Sequence, residues 1–200
     1  MLETIKSILM NKYQWRDFTI EIFDDLNYTY GSADNIYDYP KQYFSNEERD
    51  CPWKHGIKIY EDDRVINGCV LLGTGGKTSP QKTSIILEDE RLVVCCGDTV
   101  FCLSLPDLEL KWKNKADAAT CFQIFKLEED YLVHGELEIT RLDKNGNAKW
   151  KFSGRDIFVT LKNEEALRIN SDHIELTDFE YEKYKIDFNG NLIWTSKKSF

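Results

Sequence analysis

Gly73-Thr74-Gly75-Gly76-Lys77-Thr78 ends like a phosphate-binding loop, in which backbone N–H groups and a lysine surround an anion. That chemistry also needs a glycine at position 71, where the chain has leucine, and a helix next, where it has Ser79-Pro80. A turn is expected, with a small-anion nest the lesser alternative because consecutive glycines can direct N–H groups inward. Thiol chemistry is the second candidate. Cys51, Cys69, Cys95, Cys96, Cys102 and Cys121 show no Cys-x-x-Cys spacing, so neither the common zinc nor the common redox signature is present. Cys69, Cys95, Cys102 and Cys121 sit in apolar runs, and reduced thiols packing as small hydrophobes are expected. His55, His134 and His173 are too scattered for metal-ligand spacing. Glu61-Asp62-Asp63 lacks the alternating ligands and central glycine of a calcium loop, which leaves a solvated hairpin tip. No serine occupies a nucleophile elbow. Carboxylates are plentiful, but sequence sets no two of them a few ångströms apart for acid–base work. These residues point to no catalytic group, no metal and no cofactor.

The elements that must position any site come from a repeat. Asn145-Gly146-Asn147-Ala148-Lys149-Trp150 recurs as Asn189-Gly190-Asn191-Leu192-Ile193-Trp194, behind Leu142-Asp143 and Ile186-Asp187. A degenerate copy is Pro106-Asp107-Leu108-Glu109-Leu110-Lys111-Trp112, and the three tryptophans are 38 and 44 residues apart. Gly97 precedes Trp112, and Gly135 precedes Trp150, by 15 residues. Apolar runs and acidic turns alternate ahead of each glycine. One unit therefore reads as four short strands, near 84–88, 91–96, 99–105 and 109–113 in the first copy. The Asn-Gly pairs predict type I′ turns, in which both central residues take positive φ. Phe101, Leu103 and Leu105 fall on one strand face and Cys102 and Ser104 on the other, and each tryptophan is placed to pack across an interface between units.

Side-by-side four-stranded units of about 40 residues are propeller blades. The aspartate, Asn-Gly and tryptophan signature over residues 84–195 resembles the pyrroloquinoline-quinone-type propeller repeat, a relative of Trp-Asp-repeat propellers. The resemblance implies a mainly β chain: a partial β-propeller of three to four antiparallel four-stranded blades, with a short N-terminal helix added from Leu2, Ile5, Ile8, Leu9 and Tyr13 over residues 1–15. Blades are expected near 84–113, 120–152 and 157–195, within a repeat region of 56–200 whose first residues supply part of a fourth. Residues 1–55 then hold the helix, a strand through Phe18, Ile20 and Ile22, and a Tyr-rich acidic segment. A partial propeller leaves two terminal faces open, and something must cover them.

The 26 basic and 35 acidic residues give a net charge of −9, which disfavours nucleic acid and anionic membrane as partners. No apolar run reaches 18 residues, and Met1 to Met10 lacks a signal peptide's features, so a cytoplasmic place is expected. Tyrosines among acids over 24–50 suit a contact surface or a cap on an open blade. Asp24, Asp25, Asp34, Asp38, Glu61, Asp62 and Asp63 are the candidate charges of such a surface, and Tyr28, Tyr30, Tyr37 and Tyr39 its anchors. Small size and the 84–195 repeat together resemble propeller-repeat members of bacterial toxin-immunity families. That resemblance implies a non-catalytic inhibitor of a cognate, basic, nuclease-type toxin domain, monomeric or homodimeric. A small-ligand or carbohydrate-binding propeller is the alternative, and a hydrolase comes third.

Overall fold

The computed structural model describes residues 10–161 and 164–196. The chain lays down four sheets in sequence order. The first holds β1 (Met10–Trp15), β2 (Phe18–Asp24), β3 (Lys41–Phe44), β4 (Trp53–Glu61) and β5 (Arg64–Gly73), ordered β1-β2-β4-β5-β3. The second holds β6 (Ile85–Leu87), β7 (Arg91–Cys96), β8 (Thr99–Ser104) and β9 (Leu110–Lys115). The third holds β10 (Cys121–Leu127), β11 (Asp130–Gly135), β12 (Glu138–Leu142) and β13 (Ala148–Ser153). The fourth holds β14 (Leu167–Ile169), β15 (Ile174–Thr177), β16 (Lys183–Ile186) and β17 (Leu192–Thr195). Sheets two to four are antiparallel meanders, and β3 is joined to the first sheet in parallel with β5. A single turn of 3-10 helix, Lys82–Ser84, is the one helical element among the described residues.

The expected N-terminal helix is corrected over its last six residues, Met10–Trp15, which form β1. Tyr13 and Trp15 are two apart, which is strand spacing, and both pack on the first core layer while the backbone pairs with β2. Leu2, Ile5, Ile8 and Leu9 lie outside the described residues. β4 begins at Trp53 and pairs with β2 from Thr19↔Tyr60 to Asp24↔His55, so the first sheet runs across position 55.

Alternation along the middle strands decides the packing. In β8, Phe101 and Leu103 face the first sheet, whereas Val100 and Cys102 face the third. In β7, Cys96 joins the first layer and Cys95 the second. All six thiols are buried and free, as expected of small hydrophobes. Burial pushes the thiols of Cys69, Cys95 and Cys121 well up and that of Cys102 to about 11, so they are unreactive near neutral pH. A third layer, around Leu132, Phe158, Leu176 and Ile186, joins sheets three and four. No buried cluster among the described residues joins sheet one to sheet four.

Two of the tryptophans weld neighbouring sheets, as their spacing predicted. Trp112 lies on the turn Asp143-Lys144-Asn145-Gly146 of the next sheet and donates from Nε1 to Lys144 O at 3.1 Å. Trp150 does the same on Asp187-Phe188-Asn189-Gly190, donating to Phe188 O at 3.0 Å. A Cβ at Gly146 or Gly190 would stand 2.5 or 2.6 Å from the indole, and both glycines have positive φ. The expected type I′ geometry is corrected here. Only the glycine is left-handed in each turn, and Asp143 or Asp187 accepts the N–H groups two and four residues on. The aspartate thus holds a right-handed turn that the glycine closes with a bulge. Trp194 was expected to pack likewise but is 48% exposed.

Candidate functional site

The Tyr-rich segment 24–50 folds back over the outer face of the first sheet. Phe23, Tyr28, Tyr39, Cys51, Val70 and Leu72 form a separate core beneath it. Gly56, in β4, makes room: a Cβ there would meet Tyr39 Oη at 2.2 Å and Phe23 Cζ at 2.7 Å. Tyr39 is 1% exposed and donates to Asp25 Oδ2 at 2.7 Å; burial and that carboxylate push its pKa far up, which keeps the donor proton in place. Tyr28 is buried against Tyr39, with centroids 5.4 Å apart at 70°. Tyr37 is half-buried, packs edge-on to Phe23 and carries Lys58 Nζ 3.0 Å from its ring centroid.

These contacts divide the sequence-predicted site. Tyr28 and Tyr39 are corrected from anchors to core, because the open sheet face needed covering. Asp25 is engaged by Tyr39. Asp24 lies 3.1 Å from Nδ1 of the fully buried His55 and 3.8 Å from Lys77 Nζ, so it too is held inward. Glu61, Asp62 and Asp63 form the β4–β5 hairpin tip, where Asp62 and Asp63 both take positive φ. Asp24 pairs with His55, and the run from there along β4 to Glu61, roughly 20 Å at about 3.3 Å per residue, separates that tip from Asp24. What remains together on the segment is Asp34, Asp38 and Tyr30, all exposed. Glu47, Glu48 and Asp50 are exposed on the same segment, as are Leu26 and Ile36, the latter 76% exposed. None of these five carboxylates forms an ion pair with a described residue. Arg49 stacks over Tyr30 and Phe44, each centroid 5.2 Å from its guanidinium carbon, and fixes Tyr30 outward.

A second concave feature lies along the first strands of sheets three and four. It is a hollow of about 640 Å³ lined by Thr78, Gln81, Phe122, Phe125, His134 and Phe158 among others. The glycine-rich stretch leading to it forms the expected turn, with two of its N–H groups engaged: Thr74 N–H donates to Ser45 Oγ at 3.1 Å. Gly76 N–H donates to Ala119 O at 3.0 Å, and Thr78 Oγ1 donates to Cys121 O at 2.8 Å, which laces the stretch to its neighbours. His134 is buried, with Nδ1 3.0 Å from Gln123 Oε1 and Nε2 2.9 Å from Phe158 O. Nε2–H donates to the carbonyl, so Nδ1 of the neutral ring is an acceptor, met when the Gln123 amide turns its NH2 group toward it, and burial holds the ring's pKa below the ordinary histidine value. Both ring nitrogens are occupied, so the ring is a strut between β11 and the residue-158 connection. Among the described residues no group of three or more His, Cys, Asp or Glu side chains converges to hold a metal.

The strut has a pH signature. Below about 6.5, the unperturbed histidine pKa, the unfolded chain binds a proton that the folded ring resists, so stability falls as pH falls. Between pH 7.5 and 5.5 the protein should lose more stability than His134→Gln, up to a ceiling of about 1.4 kcal/mol set by the unfolded histidine pKa. Urea unfolding at the two pH values checks this, and parallel losses in both proteins would show that the ring is not held neutral.

No protein-family model matches the chain, and no curated protein matches it. Solved structures that match include BamB from Moraxella catarrhalis, at 9% identity and a TM-score of 0.48, over 72% of this chain and 46% of that one. The AfRom2 CNH domain matches at 14% identity and a TM-score of 0.48, over 95% of this chain and 54% of that one. The chain spans about half the length of each. Four successive sheets, stacked face to face through three shared core layers, decide the architecture. The fold is propeller-like. Its first outer face is covered by the chain's own Tyr-rich segment, and that cover carries the acidic, partly apolar patch.

Proposed function

We propose that the protein is a non-catalytic binding module whose acidic cap docks on a basic partner. In its sharper form it is a bacterial immunity protein, acting in the cytoplasm, that neutralises a nuclease-type toxin domain by steric and electrostatic blocking. The observation that carries this reading is the cap itself: Asp34, Asp38, Glu47, Glu48 and Asp50 are exposed and form no ion pair with a described residue, and Leu26, Tyr30 and Ile36 are exposed on the same segment. A cleft that holds nucleic acid is basic, so a carboxylate-rich surface is steered to it and competes for the phosphate path. Tyr30 and Ile36 supply the apolar area that holds the complex once formed. Asp24, Asp25, Tyr28 and Tyr39 support the patch from beneath instead of touching the partner.

The test takes the coding sequence adjacent to this gene: a nuclease-type toxin domain there is the assay partner, and a neighbour that encodes no toxin rejects the immunity form. Changing Asp34, Asp38, Glu47, Glu48 and Asp50 together to lysine should slow association roughly 10- to 100-fold at low salt and flatten its salt dependence. At about 0.15 M salt, where exposed charges are screened beyond about 8 Å, the same change at Glu61, Asp62 and Asp63 should leave the rate within about twofold. Failure to neutralise the toxin, or equal effects from the two sets, would reject this surface. The 640 Å³ hollow supports a second reading, a small-ligand or carbohydrate site stacking on Phe122 and Phe125. A sugar panel that raises the melting temperature in proportion to ligand concentration would favour it.

A further inference from the structure

The outer face of the fourth sheet repeats one half of an interface that the molecule builds twice internally. At the junction of sheets two and three, Arg91 Nη1 and Trp112 Nε1 both donate to one carbonyl, Lys144 O, at 2.7 and 3.1 Å. At the junction of sheets three and four, Arg141 Nη1 and Trp150 Nε1 both donate to Phe188 O, at 2.7 and 3.0 Å. In each case the carbonyl belongs to the residue after the aspartate of an Asp-x-Asn-Gly turn, and the indole lies on the turn's glycine. Arg141 stands directly across the strand pair from Trp150, and Asp130 Oδ2 holds its Nε at 2.6 Å.

Sheet four carries the set of sheet three; in sheet two the arginine comes from β7 and Cys102 stands across from Trp112. Lys185 stands across from Trp194, and Glu175 Oε1 holds its Nζ at 3.1 Å. No described residue accepts from Trp194 Nε1, and Leu192, Ile193 and Trp194 are each about half exposed. A hollow of about 580 Å³ runs over this face between Glu165, Arg168, Lys185 and Trp194. The pair of donors, the indole platform and the buttressing carboxylate are in place, and the turn they would hold is not among the described residues.

We propose that this face is a docking socket for a β-hairpin turn of a second protein, a turn with a left-handed glycine and a free carbonyl, gripped by Trp194 and Lys185. A second copy of this chain fits less well. Its two Asp-x-Asn-Gly turns are already held by Trp112 and Trp150, and its first sheet, which would stack here, is covered by residues 24–50. The socket is independent of the acidic cap and would stand if the cap bound nothing.

The test uses the full chain labelled with 5-fluorotryptophan, which gives five fluorine lines for Trp15, Trp53, Trp112, Trp150 and Trp194. Trp194→Phe assigns one of them. The probe is an unlabelled, disulfide-cyclised hairpin peptide of residues 182–195, which carries the turn that Trp150 grips. The Trp194 line should be solvent-exposed alone and should move saturably with peptide while the other four stay. Lys185→Ala in the protein, or Gly190→Ala in the peptide, should weaken that response at least tenfold. No movement at millimolar peptide, or movement indifferent to both changes, would overturn the proposal. So would a Trp194 line already shielded in the monomer, which would assign the face to the chain's own ends. A line that moves with protein concentration, alongside a sedimenting dimer, would assign it to a second copy.

Discussion

Asp117→Ala should cost about 4 kcal/mol of folding stability, the largest single-residue loss expected outside the apolar core. Asp117 is fully buried in the connection between β9 and β10. Its Oδ1 accepts N–H groups of Ala119 and Thr120 at 2.6 and 3.0 Å, and its Oδ2 accepts those of Leu137 and Glu138 at 2.9 and 2.8 Å. One carboxylate therefore fixes both the entry to β10 and the β11–β12 turn. Removing it strands four backbone donors, each worth roughly 1–3 kcal/mol when left buried and unpaired. Water entering the vacated space satisfies part of that loss, which sets the estimate near the lower end of the sum. Asp117→Asn should be nearly as damaging, because one accepting oxygen becomes a donor facing other donors. Guanidinium unfolding measures both variants, and a loss below about 1 kcal/mol for Asp117→Ala would mean that the clasp is dispensable.

Asp117 also marks the limit of what the sequence disclosed. It belongs to no motif, because a carboxylate that accepts backbone N–H groups needs no fixed neighbour along the chain. The repeat was legible for the opposite reason. A left-handed glycine, an aspartate that caps its turn and a tryptophan that sits on the next copy's glycine must recur at fixed offsets, and they do at Asp143, Gly146, Trp150 and again at Asp187, Gly190, Trp194. Strand alternation followed from the same logic, since Phe101 and Cys102 feed different core layers.

The N-terminal third was harder. Its apolar residues before position 10 favour a helical period, while the pairing that makes Met10–Trp15 a strand is with β2, visible only once the sheet exists. β3 is joined to β5 in parallel across 19 intervening residues, a long-range partnership that no local pattern encodes. The acidic cap was found by composition, but composition could not tell Tyr39, sealed over Gly56, from Tyr30, turned outward by Arg49. Nor could it tell Asp24 and Asp25, which are engaged by His55 and Tyr39, from Asp34 and Asp38, which are exposed.

Trp150→Ala should destabilise the fold by about 3 kcal/mol, and Trp194→Ala by less than about 1 kcal/mol, although the two tryptophans occupy equivalent places in the repeat. Trp150 packs on the third core layer, lies against Gly190 and donates to Phe188 O, so its removal opens a cavity and frees a turn. Trp194 lies on the outermost strand with nothing described above it, and truncation there deletes surface that water already reaches. The contrast isolates the term that matters, because side chain, strand position and cross-strand basic partner are matched, and only the neighbouring turn differs. Chemical unfolding of the two variants reads it directly. Equal, large losses would mean that Trp194 is already packed against something in the monomer. Equal, small losses would mean that the indole-on-glycine contact holds sheets together far less than its geometry implies. The expected inequality instead makes the turn the source of the stability, and any protein that offered Trp194 such a turn would gain the same contact as binding.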